Sequence, residues 1–561
     1  MSYSHLDTPW VENPRESAEN ALHDEHGTRL YENDTEDLLF SIIHLNDLPR
    51  LKQYLSVYSP RLDIEHKVFN DPLSIVASQG RTDVLRVLVD YYKTDSTQVP
   101  LHQRKFSLLT AACGETQLET ARFILDNQPA LYSTHIAQLY RDEALLATAR
   151  ALSSLPPYRA NHETPGDSDH WISNRVACGE ELICLLLDGG ASAQAAEIPR
   201  THVEWATVLV SGGSAIRHDD CDNQPLQSFG TVLGLASSRV GSALVKRLID
   251  QGANVHAKEQ YYYDPSSAFW RIELPSDVTA LHISSMYWNT EVIQTLLDYS
   301  GRSNIEALSC RDSNGRLPLH WAAAGPGSHE CWLPDEKINN RIIVALKLLC
   351  SSSDINARDN RGETPLHHAV KGHAGCGQSI HFDSTLKFFL ENGAHADLVD
   401  GNDQTVLHKL AARCLDGDPI DTSLMDSLLS HGAKMLINQQ DIDGNTALHL
   451  MARNLRQTQA TRFLISQGAN VSLVNGKGNT AFHECLTMGT ILQRQTSNGS
   501  VKATYADMRR ALDEMIAILL QVGDDAMMDQ TNLAGETPRQ LQSKKLAQWQ
   551  EMELREIARN S

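Results

Sequence analysis

Apolar positions along this chain recur in pairs of helical stripes. In "LVKRLIDQGANV" from Leu244, "LKFFLENGAHAD" from Leu386, "LMDSLLSHGAK" from Leu424 and "TRFLISQGANV" from Thr461, apolar residues recur three and four apart, and each stripe stops at a Gly-Ala pair. That spacing puts the apolar side chains on one helix face, and glycine takes the left-handed conformation that ends the helix. A shorter stripe is opened by a recurring tetrapeptide: "TALH" at Thr279, "LPLH" at Leu317, "TPLH" at Thr364, "TVLH" at Thr405, "TALH" at Thr446, "TAFH" at Thr480, and a degenerate "TPRQ" at Thr537. Thr supplies an N-cap oxygen, Pro suits the first helical position, and Leu is the buried anchor. Between copies stands a turn with Asp or Asn three residues before Gly: Asp312–Gly315, Asp359–Gly362, Asp441–Gly444, Asn475–Gly478 and Asn532–Gly535.

Each helix pair has an apolar face that it cannot bury alone, so stacked neighbours must supply the core. The pattern predicts an all-α solenoid of about 11 helix-turn-helix units joined by β-turn or hairpin connections. Upstream, "DPLSIVASQGRTDVLRVLVDYY" from Asp71 and "SLLTAACGETQLETARFILDN" from Ser107 keep the helix pairs without the histidine. The order tight turn, T-P-L-H, helix, helix, G-A-x-x-N resembles the ankyrin repeat, and "DNRGETPLHHAVKGH" from Asp359 matches it best. The expected organisation is a disordered acidic segment at 1–35, divergent ankyrin-like repeats at 36–229 with a disordered loop at 155–174, clear repeats at 230–545, and a capping helix at 546–561. The tetrapeptides stand mostly 38–47 residues apart, against about 33 in the family. Insertions therefore lie between helices (325–340, 374–384, 489–506) and between units (259–277).

Charge narrows the partners. A formal net charge of −21, with basic runs no longer than pairs, disfavours nucleic acid and anionic membrane, both of which need Lys and Arg clusters. The ten scattered cysteines form no C-x-x-C pair. With no secretory leader pattern at the start, they read as reduced thiols of the nucleus or cytoplasm.

Candidate chemistry dissolves into the repeat. His282, His320, His367, His408, His449 and His483 occur once per unit, in layers about 10 Å apart, too far to share a metal. In the family this histidine braces the adjoining turn. "HAGCGQSIH", His373 to His381, matches no strong zinc spacing; no phosphate loop, nucleophile elbow or H-E-x-x-H pattern occurs. No cofactor, metal, small-molecule substrate or enzymatic activity is expected. The resemblance implies an adaptor or scaffold that binds proteins, and insertion-rich arrays of this kind are similar to filamentous-fungal ankyrin proteins, some of them transcription co-regulators of secondary-metabolite clusters. The competing class is a ubiquitin-ligase substrate receptor or cytoplasmic scaffold. Candidate partner-binding residues are the aromatic insertion Tyr261, Tyr262, Tyr263, Phe269, Trp270 and Arg271; the first-helix residues Met286, Tyr287, Trp321, His368, Lys409 and Glu484; and the turn residues Arg316, Arg361 and Glu363, with Asn314, Asn402, Gln404, Asp443, Asn445, Lys477 and Asn479. The first-helix residues are expected to face outward.

Overall fold

Every intact tetrapeptide opens a helix at its second residue: Ala280–Met286, Pro318–Ala324, Pro365–His373, Val406–Arg413, Ala447–Ala452 and Ala481–Thr487. Each is followed by a second helix: Thr290–Ser300, Asp335–Cys350, Ser379–Glu391, Thr422–Ser430, Thr458–Ser466 and Tyr505–Leu520. The computed structural model describes residues 22–23, 29–30, 39, 42–58, 72–94, 107–127, 137–153, 165–196, 230–260, 275–301, 304–326, 335–350, 355–373, 379–413, 419–489, 493–496 and 499–560. Two compact units divide the chain, Met1–Leu274 and Pro275–Ser561.

In the second unit the first-helix anchors Leu281, Leu319, Leu366, Leu407, Leu448 and Phe482 are all buried. The second helices bury Leu296, Leu346, Phe389, Leu428, Leu464 and Leu519 as well, and successive first helices pack on one another, so the core runs on from layer to layer. Small residues at the next helical turn, Ser284, Ala322, Ala369, Ala411 and Ala452, are buried where the paired helices approach. Trp288 stands where the family has an inter-helix glycine. It adopts φ +51, is only 4% exposed, and its indole N–H donates to the Ala322 carbonyl at 2.8 Å. Gly325 (φ +65) makes room for it, since a Cβ there would lie 2.3 Å from the indole ring.

The first unit repeats the plan with the pairs Pro72–Ser78/Thr82–Thr94 and Leu108–Gly114/Leu118–Asp126. The pairs Ala137–Ser153/Pro165–Asp188 and Val232–Ala236/Ser242–Asp250 follow. Gly80 (φ +71), Thr116 (φ +56) and Asn46 (φ +56) take the same left-handed inter-helix position as Trp288. The helix Pro165–Asp188 corrects the expected loop over 165–174. Pro165 sits in its first turn, and Asp167 and Asp169 favour the positive end of the helix dipole, so residues typical of loops here start a helix. Residues 155–164 lie outside the described residues.

Three further features depart from expectation. Within 1–35, Leu22–His23 pairs antiparallel with Arg29–Leu30. The final helix, Pro538–Asn560, runs from the degenerate tetrapeptide through the expected cap without a break, because no glycine or Asn interrupts it. The 489–506 insertion carries a hairpin, Gln493–Thr496 with Gly499–Lys502. Among the described residues no helix is long and apolar enough to cross a membrane.

Candidate partner-binding surface

The turns of the second unit are built from one device. The first residue of each accepts two backbone N–H bonds through its side-chain oxygen: Asp359 from Arg361 and Glu363, both 2.9 Å, and Asp400 from Asn402 and Gln404, both 2.8 Å. Asp312, Asp441, Asn475 and Asn532 do the same within 2.8–3.1 Å. Successive turns are stitched tip to tip by backbone bonds: Asn360 N–H to Asn314 O (2.9 Å), Gly401 to Arg361 (2.7 Å), Ile442 to Asn402 (3.1 Å), Gly476 to Asp443 (2.8 Å) and Leu533 to Lys477 (3.1 Å). Positive-φ glycines allow the close approach; at Gly444 a Cβ would stand 2.7 Å from the Gly476 nitrogen.

The motif histidines brace this row. In the Thr446 unit, His449 Nδ1 faces the Thr446 backbone N–H at 3.1 Å and its hydroxyl at 2.8 Å, while Nε2 lies 3.0 Å from the Asn479 carbonyl of the next turn. His282, His320, His367, His408 and His483 make the corresponding bonds, to Arg316, Ala357, Gln404, Asn445 and Glu536 carbonyls at 3.0–3.3 Å. An acceptor at Nδ1 and a donor at Nε2 define the neutral ring. Burial reinforces it, pushing His282 and His367 down to about 4 and His320 to about 3, with His408, His449 and His483 lowered too.

The residues after four of these histidines do not face outward as expected. Trp321, His368, Lys409 and Glu484 are buried and turn back onto the first residue of their own turn. Trp321 Nε1–H donates to Asp312 Oδ2 at 3.0 Å, His368 Nε2 lies 2.9 Å from Asp359 Oδ2, and Lys409 Nζ lies 2.6 Å from Asp400 Oδ2. In the Thr480 unit both partners are exchanged: Asn475 now donates, at 2.7 Å, to Glu484. A buried polar group needs a partner, and the nearest one available is the turn nine residues earlier. Met286 is likewise buried.

The fifth turn residue links one unit to the next. Glu363, 2% exposed, meets Lys409 Nζ of the next unit at 2.7 Å and Lys371 Nζ at 2.9 Å. Burial alone would raise its pKa, but His368, Lys371 and Lys409 outweigh that and hold the carboxyl at about 2. Lys409 in turn is raised, because Asp400 and Glu363 outweigh its own burial. Gln404 Nε2–H donates to Asp441 (3.1 Å), Asn475 to the Asn445 oxygen (2.8 Å) and Asn532 to the Asn479 oxygen (2.9 Å). Glu363, Asn445 and Asn479 are therefore buried rather than available to a partner, and Gln404 is partly so. Arg316 is half-buried, paired with Asp312 at 2.8 Å and stacked 5.0 Å from the Trp321 ring centre. Tyr287 is half-buried.

Asp359, Glu363 and His368 bring three potential metal-ligand atoms within 4.8 Å of one another. The donor set does not fit a cation. Both Glu363 oxygens already accept from ammonium groups, at 2.7–3.0 Å, and a divalent ion would enter beside two fixed positive charges. Of the remaining candidates, Arg361, Asn402, Asp443 and Lys477 are exposed at the turn tips, and Asn314 is partly so. Tyr261, Tyr262, Tyr263, Phe269, Trp270 and Arg271 lie outside the described residues, as do the side chains of His373, Cys376 and His381. The tips also expose two apolar residues that pattern reading passed over, Ile442 (65%) and Leu533 (80%).

The family description "Ankyrin repeats" matches in three copies, over residues 233–332 and 378–471. Residues 233–332 and 378–471 carry ankyrin repeats. Among curated relatives, the chain is 25% identical over 249 residues to "Protein glp-1" of Caenorhabditis elegans, covering 42% of this chain and 17% of that protein. It is 32% identical over 172 residues to "Neurogenic locus notch homolog protein 1" of Mus musculus (30% and 6%). It is 27% identical over 212 residues to "E3 ubiquitin-protein ligase KEG" of Arabidopsis thaliana (37% and 11%). The chain thus spans less than a fifth of the length of the relatives it matches. Among solved structures, the ankyrin repeat domain of Bcl-3 aligns at 20% identity and a TM-score of 0.30, over 51% of this chain and 98% of that one.

Proposed function

We propose that this chain is a non-enzymatic scaffold that binds other proteins on the turn tips of its ankyrin repeats. One observation carries the reading: the repeat's polar and ionic groups are bonded to one another inside the layers, while the outermost tip positions stay exposed on a backbone-stitched row. Rigid exposed positions of varied chemistry suit recognition, since little ordering entropy is lost on binding. The aromatic insertion Tyr261–Arg271 belongs to the same proposal by residue type, because Tyr, Trp and Arg are enriched where binding energy concentrates.

Within that role, we favour a nuclear co-regulator of transcription acting through a DNA-binding partner. The net charge of −21 supports this reading against direct contact with DNA. The second reading, a ubiquitin-ligase component or cytoplasmic scaffold, draws support from the likeness to a protein named as a ubiquitin ligase. Affinity purification of the tagged full chain from its native cells, with mass spectrometry of what is retained, tests both. Recovery of a DNA-binding protein supports the first, and recovery of ligase subunits the second. A chain that retains no specific protein would overturn the scaffold reading altogether.

A further inference from the structure

The tip row is not uniform. On two neighbouring turns, Arg311, Arg358 and Arg361 are all exposed. Two of them are anchored: Arg311 Nη1 donates to the Arg358 carbonyl at 2.9 Å, and Arg358 Nη1 to the Val399 carbonyl at 2.7 Å. Guanidiniums held this way keep their remaining N–H donors in fixed positions. The acids of these two turns do not neutralise them, because Asp312, Asp359 and Glu363 are buried and engaged inside the layers. The side chains between them, Ser313, Asn314 and Asn360, are uncharged. Three exposed cations on neighbouring turns, in a chain of net charge −21, offer charge complementarity to a negative group.

Further along the row the chemistry changes. Ile442 and Leu533 both hold the second position of their turns and are 65% and 80% exposed. Gly476 holds that position on the turn between them, with no side chain to block a path across it. Layers about 10 Å apart put about two layers, or 20 Å, between Arg361 and Ile442 and again between Ile442 and Leu533. An extended chain advances about 3.4 Å per residue and spans 20 Å in about six residues.

Resting on the scaffold reading above, we infer that the tip row holds an extended segment of a partner protein. That segment places a cluster of Asp and Glu over Arg311, Arg358 and Arg361, an apolar side chain about six residues away on Ile442, and a second about six further on Leu533. The segment gains charge-assisted bonds at one end and buries apolar area at two fixed distances from it. A nucleic acid would meet exposed Asp403 and Asp443 on the intervening turns, which repel phosphate.

The test uses the full chain and a fluorescent peptide of about 18 residues, with three consecutive acidic residues followed by two leucines at that spacing on a Gly/Ser background. Controls are the same peptide with lysines for acids, the peptide with leucines three apart, and oligo-dT of matching charge. Anisotropy should show saturable binding that weakens with salt, weakens about tenfold in Arg361→Glu, and weakens similarly in Ile442→Ser/Leu533→Ser. These exposed sites leave the melting temperature unchanged, which circular dichroism checks. Equal binding by Arg361→Glu, indifference to leucine spacing, or preference for oligo-dT overturns the proposal. If the cell-derived partner is still recovered by Arg361→Glu and Ile442→Ser/Leu533→Ser, the scaffold survives but this surface does not.

Discussion

Asn475 and Glu484 form an inverted copy of the pair made by Asp359 and His368. Both pairs join the first residue of a turn to the residue nine positions later, at 2.7 and 2.9 Å. In one the turn residue donates, in the other it accepts. The helix residue changes from donor to acceptor to match.

Asn475→Asp should therefore destabilise the chain although it is nearly isosteric. It sets a carboxylate against Glu484, which is buried and held charged: burial raises its pKa, but bonds from Asn479 and Arg453 outweigh that. A loss of about 2–3 kcal/mol is expected. Glu484→Gln alone should cost less, and added to Asn475→Asp it should recover part of the loss. Urea denaturation of the four proteins measures the coupling; a coupling energy near zero would mean that the two positions are independent.

Acid should weaken the fold well above the carboxylate range. The motif histidines are neutral in the folded chain, lowered from 6.5 to about 4 at His282 and His367 and about 3 at His320. Above pH 6.5 both states are neutral and nothing changes. Below it the unfolded histidines take up protons that the folded ones refuse until pH 4 or lower. Stability should fall across pH 6.5–4 by on the order of 1 kcal/mol per pH unit for each such histidine. Below 4.5, Glu363 and Glu484 add to the trend. Urea midpoints at stepped pH check this, and a curve flat from pH 7 to 5 would refute it.

Asp403 holds the position that glycine holds in five neighbouring turns, at φ +56. A non-glycine residue there costs about 1 kcal/mol, offset in part by glycine's greater freedom when unfolded. Asp403→Gly should thus stabilise by about 0.5 kcal/mol and raise the melting temperature slightly. A lower melting temperature would show that the Asp403 side chain contributes a contact of its own.

Gly325→Ala should be costly. The added Cβ would lie 2.3 Å from the Trp288 ring, on a backbone at φ +65. Overpacking and strain together should exceed about 2 kcal/mol. Pairing it with Trp288→Leu should return part of that, read from thermal melts; no recovery would locate the strain in the backbone alone.

The repeat and its helix pairs were legible in the sequence, because each is a local pattern stated six times over; the bracing role of the motif histidines was implied by the resemblance to the ankyrin repeat, and the bonds that carry it belong to the fold. The Asp400 turn, whose Asn402 and Gln404 the repeat order already placed, lacks the spacing that marks the others because Asp403 replaces the glycine. The exposed tips Ile442 and Leu533 were missed because an isolated apolar residue in a turn carries no periodic signal. Residues 165–174 read as a loop by composition, although the same Pro and Asp residues favour a helix start.

What the sequence by itself determined is that the repeat is built of helix pairs, how the tetrapeptide helices start, and that the units must stack: propensity, capping and apolar period act within a few residues of the chain. Only the tertiary structure decided which way His368, Lys409, Trp321 and Glu484 turn. A polar residue beside an N-cap can face water or fold back on its turn with equal local cost. The choice is made by the buried carboxylate or amide that the layer brings within 3 Å, and by neighbouring turns that close over it.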